Sequence, residues 1–534
     1  MKKLLAILAA LAAFFMCTGL AGAREPDFKL GNEVLMTKYH YLIEGKRVGL
    51  ITNQSGVNSK GQSTIEVLAN DKTVNLVALY GPEHGIDGTA RAGAYVESYT
   101  HPDLGIPVYS LYGATRMPTE EMLRNVDVLV FDVQDIGARS YTYKSTLNYC
   151  MIAAQKYNKT IVVLDRPNPV GGEIVEGPVL EDRFQSFVGI DNLPMAHGMT
   201  TGELARFFNR KIGADLKVVP MEGYTRDMIF EDTGLKWVQT SPNIPDLASV
   251  RGYMATGLGE GTGIFQADKF KWIGGKGIDA NRFAAMLNGA GLPGVAFIPE
   301  QRGETGGVRL QIEDPRTFNP AKTGIYALTY AHSLTNFQVP KSGDKVVMFD
   351  KIMGTDKIGQ YLEQGLTPQQ IEARYAADLE RFKEERKKYL IYGYKPEQRE
   401  PGDNETEQDT GLPGQWQRGQ ITVLVDGRAL NFDAAPYIDE HNRTMVPLRA
   451  IGEALGAQVH WDPAARTVTY AKQGYKVVFT IDISRAFVNG EQKYMDTSPV
   501  IKNNRTMVPL RYVSEFLGAV VDWDPSSRTV TVNQ

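Results

Sequence analysis

The sequence predicts an α/β protein whose larger part is built on a doubly wound parallel sheet and whose C-terminal part consists of small α+β modules. Two observations support this prediction. Short apolar runs alternate with helical patterns over the first 170 residues, and one motif recurs near the C-terminus. The chain has 534 residues, of which 43% are hydrophobic and 22% are charged. That length and composition are typical of several folded domains.

Each apolar run has the length and β-rich composition of a strand that is buried on both faces. The runs are residues 47–52, 74–80, 126–131 and 160–164, and residues 106–112 predict a further strand or strand-like loop. The helical patterns between them are residues 63–70, 118–124 and 144–157. Because parallel strands in one sheet are joined by right-handed crossovers, this order predicts a Rossmann-like sheet with helices on both faces.

The pattern changes near residue 190, which predicts a second, smaller α/β subdomain. A helix begins at Thr200 or Thr201, where a hydroxyl group can cap the first turn. Mixed strands and helices with many glycines follow, and a long helix begins with Thr367 as its N-cap. We therefore assign residues 24–190 to a Rossmann-like subdomain and residues 191–395 to a second subdomain that completes a cleft.

Two segments are expected to lie outside the folded domains. Residues 1–23 have the layout of a secretory signal peptide: Lys2 and Lys3 precede an apolar run that is short for a membrane span, and Ala21-Gly22-Ala23 supplies a cleavage site. We expect this segment to be removed, so that the mature protein is secreted and extracellular; a retained membrane anchor is the less favoured alternative. Residues 396–419 contain six acidic residues against two arginines and have no hydrophobic periodicity, which predicts a linker.

The C-terminal part contains an internal repeat. Asn442–Arg449 returns as Asn504–Arg511, an offset of 62 residues. In each copy a helix is predicted to end at a glycine that suits a left-handed C-cap, and short strands follow it. We therefore expect two accessory α+β modules, residues 420–472 and 473–534, each with its own core.

Polar side chains follow the predicted strands of the sheet, where each strand ends. In an open parallel sheet, ligands bind outside the carboxyl ends of the strands, where the strand order reverses. We therefore expect one site built from several strand ends, although single residues have structural alternatives, such as an ion pair between Asp165 and Arg166 or a turn at Asn168. The candidates are Asn53, Glu83, His84, Asp132, Gln134, Asp135, Arg139, Tyr141, Asp165, Arg166 and Asn168.

These residue types suit the hydrolysis of a glycosidic bond, which needs a carboxylic acid to protonate the leaving oxygen and a second group to handle water or positive charge. Glu83, in a loop bounded by proline and glycine, is the first candidate for the acid, and Asp132 or Asp135 is the candidate for the second carboxylate. Amide and hydroxyl groups are expected to bind sugar hydroxyls, and guanidinium groups to bind an anionic substituent. The amide and hydroxyl groups are those of Gln134, Tyr141 and Asn168, and the guanidinium groups are those of Arg139 and Arg166.

Several other functions lack the residues they need. The acidic residues and His84 are types that bind metals, but their spacing matches no metal-site motif, so we expect no metal and no cofactor. The nucleophile elbow G-x-S-x-G is absent, and Gly56 and Gly113 belong to no G-x-G-x-x-G fingerprint. The formal net charge of −4, with no long basic run, argues against a nucleic-acid partner. Cys150 lies in a predicted buried helix and is expected to be inert rather than catalytic.

Taken in order, the motifs at the strand ends resemble those of the bacterial exo-β-N-acetylmuramidase family. The resemblance covers about residues 28–390 and matches Glu83 to the family's candidate catalytic glutamate. It implies removal of terminal N-acetylmuramic acid from peptidoglycan fragments, in a cleft between a Rossmann-like subdomain and a smaller one. The matching segments include Thr52–Gly56, Pro82–Gly85, Pro107–Gly113, Phe131–Gly137, Tyr141–Tyr143, Asp165–Pro169, Gly177–Val179, His197–Thr200 and Ser241–Pro245.

The resemblance adds His197, Asn243 and Glu260 to the residues expected to bind substrate, and it implies peptidoglycan-derived glycans or muropeptides as partners. The chain departs from the family pattern after Thr262, where an Asn/Ser-rich stretch is usual. That departure bears on sugar specificity more than on fold. A wall-binding or scaffold protein with little or no catalysis, and a hydrolase of another bond such as an amide or ester, are the alternative functions.

The C-terminal repeats resemble the N-terminal domain of copper amine oxidases, which many secreted proteins carry in tandem. The sequence gives no sign of copper, because His441 and His460 of the first copy do not recur in the second. Trp461 and Trp523 are expected to pack in small cores rather than to serve as sugar platforms. We expect these repeats to attach the protein to the cell wall.

Overall fold

The computed structural model describes residues 28–394 and 421–533, with short gaps at 431, 433–435, 440–442, 463–464, 503–504 and 525–528. The chain divides into two compact units, Met1–Lys395 and Pro396–Gln534. The predicted signal peptide (1–23) and linker (396–419) lie outside the described residues. No helix in the described ranges has both the length and the apolar composition needed to cross a membrane.

The first unit contains the predicted doubly wound sheet, which has seven strands. In chain order they are β1 (Arg47–Thr52), β2 (Asn75–Gly81), β3 (Tyr99–Thr100), β4 (Pro107–Ser110), β5 (Val128–Asp132), β6 (Thr160–Leu164) and β7 (Leu216–Val219). They lie in the order β3-β4-β2-β1-β5-β6-β7, and all neighbours are parallel except β3 and β4. The order reverses between β1 and β5, so the carboxyl ends of these two strands form the topological switch point.

Helices cover both faces of this sheet. They are α1 (Gly31–Lys38), α2 (Thr64–Asn70), α3 (Glu120–Leu123), α4 (Tyr143–Lys156) and α5 (Thr201–Ile212). Successive strand residues point to opposite faces: Val128 and Val130 pack with α1 and α2, whereas Leu129 and Phe131 pack with the other three helices. Cys150 is fully buried in α4, as predicted.

The boundary predicted at residue 190 is wrong, because β7 and its crossover helix α5 lie beyond it and complete the sheet. The chain leaves the sheet only after Val219. The remainder has four antiparallel strands, in the order β10-β11-β9-β8, and six helices. These are β8 (Ile264–Ala267), β9 (Trp272–Lys276), β10 (Val295–Arg302), β11 (Thr305–Ile312), α6 (Leu247–Thr256), α7 (Ala280–Asn288), α8 (Pro320–Thr335), α9 (Met348–Met353), α10 (Lys357–Glu363) and α11 (Pro368–Arg386). One hydrophobic core runs through both parts, from Ile51 to Phe382.

The second unit contains both copies of the repeat. Its strands are β12 (Thr422–Val425), β13 (Arg428–Ala429), β14 (Tyr437–Ile438), β15 (Thr444–Pro447), β16 (Gln458–Asp462), β17 (Thr467–Lys472), β18 (Tyr475–Thr480), β19 (Arg485–Val488), β20 (Glu491–Tyr494), β21 (Val500–Lys502), β22 (Arg505–Pro509), β23 (Val520–Asp524) and β24 (Thr529–Asn533). The two predicted helices are present as α12 (Leu448–Ala454) and α13 (Leu510–Phe516), and each is followed by a glycine with positive φ, Gly456 or Gly518.

The expectation of two modules with separate cores is wrong. Strand β12 of the first copy pairs with β24 of the second, β15 pairs with β22, and β16 to β20 form one sheet across residues 472 and 473. Each copy therefore needs strands of the other to cover its apolar residues. A single hydrophobic core contains buried residues of both copies. Trp461 and Trp523 are partly buried and pack against this core, as expected.

Candidate active site

Glu83 lies in the loop that follows β2 and is held by two hydrogen bonds. Its side chain is 7% exposed. Thr142 donates from Oγ1 to Glu83 Oε2 at 2.6 Å, and the backbone N–H of Gly93 donates to Glu83 Oε1 at 2.8 Å. Glu83 forms no ion pair with any residue that the structure describes. The carboxyl group is thus oriented by neutral donors.

Aromatic side chains surround this carboxyl group. Tyr112, Tyr143 and Tyr253 all lie close enough for the charge of Glu83 to contribute to their raised pKa values, of which burial is the largest cause. The Tyr141 ring packs edge-on against Tyr143 and Tyr253, with centroids 4.9 and 5.8 Å apart. The Tyr141 hydroxyl donates to Thr240 Oγ1 at 2.9 Å, and the Tyr143 hydroxyl donates to the Thr240 carbonyl at 2.5 Å. Glu83 therefore lies beside a rigid wall of rings.

His84 gives the loop its shape. It adopts a left-handed backbone conformation with φ of 74°, which a residue with a side chain seldom takes, and Gly85 follows with φ of 80°. The imidazole Nδ1 lies 2.7 Å from the carbonyl oxygen of Ala90, so this nitrogen carries the proton and donates it. This hydrogen bond closes the loop that begins at Glu83.

Asp135 is the second carboxylate near the tyrosine wall. Burial is the main cause of the raised pKa values of Tyr143 and Tyr253, and the charge of Asp135 contributes to them as that of Glu83 does, so both carboxylates lie near these rings. Lys144 Nζ lies 2.9 Å from Asp135 Oδ2 and also donates to two backbone carbonyls. Burial lowers the pKa of Lys144, and the charge of Asp135 opposes that effect. Gln134 donates from Nε2 to the carbonyls of Asp135 and Pro167, both at 2.8 Å.

Asp132, the other predicted second carboxylate, is fully occupied by structural contacts. It is completely buried at the end of β5, and its oxygens lie 2.5 and 3.0 Å from Arg166 Nε and Nη2. Thr64 and Asn32 donate to Asp132 Oδ2 at 2.6 and 3.3 Å. Arg166 also donates to the Val57 carbonyl at 2.8 Å. These contacts occupy both oxygens of Asp132, which favours a structural role for this residue over the expected catalytic one. Arg166 uses only Nε and Nη2 in the pair, and its role in anion binding stays a prediction.

Three further strand-end candidates also make structural hydrogen bonds. Asn53 Oδ1 accepts from the N–H and the hydroxyl of Ser55, and Asn168 accepts from the N–H of Val170, as a turn requires. Asp165 accepts from the Gly202 N–H at the start of α5 and from the Thr200 and Tyr392 hydroxyls. Burial raises the pKa of Asp165 to about 7.

Arg139 and His197 lie in the core, and Asn243 and Glu260 lie at the surface. Arg139 is 1% exposed and donates to the carbonyls of Pro178, Leu193 and Ile352; burial lowers its pKa to about 9. It cannot reach an anionic substituent, contrary to the prediction. His197 is equally buried, and burial lowers its pKa well below the usual value. Asn243 and Glu260 are exposed.

Several residues of the site carried no sequence signal. Thr142 lies in the matching segment Tyr141–Tyr143, but its contact with Glu83 joins residues 59 positions apart. Tyr253 comes from α6, which belongs to the second part of the unit, and Gly93 contributes only its backbone N–H. Such contacts depend on how distant elements pack, so only Tyr112, which follows β4, could have been found from its place at a strand end.

Two cavities lie along the carboxyl edge of the sheet. The first, of about 260 Å³, lies at the switch point and is lined by residues that include Ser55, Gln134, Arg166 and Trp237. The second, of about 250 Å³, is the Tyr95 pocket, named after its most exposed aromatic ring. Its lining includes His84, Asp87, Tyr95, Glu97, Tyr99 and Tyr109.

A carboxyl group that forms no ion pair with a described residue, and that shares a wall of aromatic rings with a second carboxylate at the carboxyl edge of a parallel sheet, suits glycoside hydrolysis. The fold and the site thus define the class as glycoside hydrolases. Residues 48–248 match the family described as "Exo-beta-N-acetylmuramidase NamZ, N-terminal" and residues 251–392 its C-terminal counterpart, and the chain belongs to this family. Residues 424–532 match the copper amine oxidase N-terminal domain, as predicted.

Known relatives agree with this assignment. The chain is 43% identical over 387 residues to the peptidoglycan β-N-acetylmuramidase NamZ of Bacillus subtilis (strain 168), covering 69% of this chain and 92% of that protein. Two crystal structures of DUF1343 family proteins from Bacteroides fragilis are similar in fold. One is 36% identical with a TM-score of 0.63, the other is 28% identical with a TM-score of 0.51, and each comparison covers 69% of this chain and all of the other.

The C-terminal unit does not fit the copper ion that its family description implies. His460 is exposed on β16, and Asp522 occupies the corresponding position on β23. Across the described parts of the chain, no three side chains of His, Cys, Asp or Glu are grouped so that they could share a metal ion.

Proposed function

We propose that the mature protein is a secreted, exo-acting glycosidase that removes terminal N-acetylmuramic acid from peptidoglycan fragments during turnover of the cell wall. The observation that carries this proposal is the setting of Glu83. Its carboxyl group is nearly buried, is oriented by Thr142 and Gly93, and forms no ion pair with a described residue. The activity printed for the Bacillus subtilis relative supports the choice of sugar.

In this mechanism Glu83 protonates the oxygen of the leaving sugar, because an acid held in one orientation by two donors can align with the bond that breaks. Asp135, which lies near the same two rings, Tyr143 and Tyr253, acts on water or on the positive charge that develops at the sugar. Lys144 keeps Asp135 in place through its 2.9 Å ion pair. Among the other candidates, Asn243 and Glu260 are exposed, and we propose that they contact substrate.

The test compares an aryl β-N-acetylmuramide with the matching aryl β-N-acetylglucosaminide. We expect the protein to release the aryl group from the muramide, and a metal chelator to leave the rate unchanged. Binding of the muramide without release would favour a wall-binding protein. A chelator-sensitive rate, or release of amide or ester products from muropeptides alone, would favour a hydrolase of another bond.

We further propose that the C-terminal unit tethers the enzyme to the wall, where a second contact raises the effective concentration of substrate. Its core is separate from that of the first unit. Removing the residues after Gln398 is therefore expected to leave the rate on a soluble muramide unchanged and to reduce co-sedimentation with intact sacculi. The two readouts are a kinetic assay and a pelleting assay. Loss of activity on the soluble substrate would place the repeats in the catalytic fold, and unchanged pelleting would contradict the tether.

A further inference from the structure

We propose that the Tyr95 pocket is the leaving-group subsite, which holds the neutral sugar on the far side of the bond that is cleaved. This inference rests on the proposed function. It assigns a site and a ligand class, an uncharged N-acetylhexosamine ring, to a cavity of about 250 Å³ that the mechanism above does not use.

The pocket and Glu83 are built from the same loop. The loop leaves β2, presents Glu83, and closes on itself through the contact between His84 and Ala90. It then passes Gly93, whose N–H donates to Glu83, and reaches Tyr95 two residues later. One wall of the pocket is thus connected to the acid by a short, internally hydrogen-bonded stretch of chain.

A second connection runs through Tyr112. The N–H of Val96 donates to the Tyr112 carbonyl at 3.1 Å, and Tyr112 is also a neighbour of the Glu83 carboxyl group. A Cβ atom on Gly113 would lie 2.5 Å from the Val96 carbonyl oxygen and 3.4 Å from the Tyr95 ring. Glycine at position 113 therefore allows the Tyr95 segment to lie against the strand end that carries Tyr112.

Tyr95 and Tyr99 present aromatic surface that the fold does not use. They are 63% and 48% exposed and line the same pocket, so two ring surfaces are open to one ligand. An exposed ring offers a flat apolar face to one side of a pyranose. Nearby hydroxyl and carboxylate groups can bind the hydroxyls of the same sugar.

The charge of the lining selects the kind of sugar. The residues that line the pocket include the carboxylates Asp87 and Glu97 and no lysine or arginine. N-acetylmuramic acid carries a carboxylate, which two acidic residues would repel. The next sugar in a peptidoglycan glycan is an uncharged N-acetylhexosamine, which suits this lining. The pocket therefore fits the leaving group and not the muramyl group.

The experiment compares two substrates that share the muramyl group and differ in the leaving group. One is the β-linked disaccharide of N-acetylmuramic acid and N-acetylglucosamine, and the other is N-acetylmuramyl fluoride, whose leaving group is a single atom. For the variant Tyr95→Ala/Tyr99→Ala we expect kcat/KM on the disaccharide to fall about tenfold, mainly through KM, and kcat/KM on the fluoride to stay unchanged. Tyr95→Phe, which keeps the ring, should retain activity on both substrates.

Tyr41→Ala is the matched control, because Tyr41 is 52% exposed and does not line the pocket. It should leave both rates unchanged. Equal losses on disaccharide and fluoride in the double variant would overturn the inference, since the loop would then act by supporting Glu83. Unchanged rates on both would overturn it as well. If the unaltered protein cleaves neither substrate, the proposed function itself fails, and the inference fails with it.

Discussion

Turnover of a muramyl substrate is expected to fall by about two to four orders of magnitude when Glu83 is replaced by glutamine, because the amide cannot donate the proton that the leaving oxygen needs. The fold is expected to remain intact. A glutamine side chain has the shape of glutamate, and its oxygen can still accept from Gly93. Its NH2 group would then face Thr142, whose hydroxyl can rotate to accept instead of donating.

The loss should depend on the leaving group. A sugar is a poor leaving group and needs the acid, whereas fluoride or an activated phenolate needs much less protonation. Rates of Glu83→Gln on the disaccharide and on the fluoride, together with its melting temperature, measure both effects. Glu121→Gln, at an exposed position on α3, is the control for a lost carboxylate. Near-normal rates of Glu83→Gln on the disaccharide would show that Glu83 is not the acid, and Asp135 would become the first candidate.

The strands and helices of the sheet could be predicted because each leaves a local pattern. The buried strands β1, β2, β5 and β6 are continuous apolar runs, and α5 begins at a hydroxyl that caps its first turn. The end of the subdomain could not be predicted in the same way. Strand β7 is short and only partly buried, so its membership in the sheet depends on pairing with β6 rather than on its own composition.

The candidate site was partly predictable for a similar reason. Parallel strands end at one edge, so the polar residues after them lie on the same side of the sheet. Which of them remain free depends on partners that are distant in sequence. Asp132 is bound by Asn32, Thr64 and Arg166, which lie 100, 68 and 34 residues away. Sequence reasoning paired Arg166 with its neighbour Asp165, whereas the fold pairs it with Asp132.

The repeat shows the limit of reading a duplication as two domains. An offset of 62 residues shows that two copies have the same pattern, but not whether each copy closes its own sheet. Here β12 of the first copy completes the sheet formed by β23 and β24 of the second. Each half alone would expose the apolar side chains that line the shared core.

Replacing Asp132 by alanine is expected to lower the free energy of unfolding by about 3–5 kcal/mol, because Arg166 would keep its charge in a buried position without a partner. Arg166 is 3% exposed and Asp132 is fully buried. The pair of Arg47 and Asp127 offers a matched control in the same sheet, since both of its side chains are partly exposed at 46% and 37%. Asp127→Ala should cost less than about 1 kcal/mol.

Urea unfolding of the purified variants measures these differences, and a third variant separates structure from chemistry. In Asp132→Leu/Arg166→Met both charges are removed and apolar side chains of similar size replace them, so most of the lost stability should return. That double variant should also hydrolyse the muramide, because Asp135 and Glu83 are unchanged. If it folds but is inactive, Asp132 or Arg166 takes part in the reaction. If Asp132→Ala is as stable as Asp127→Ala, the buried pair does not anchor β5, and the contacts of Thr64 and Asn32 with Asp132 contribute little to the fold.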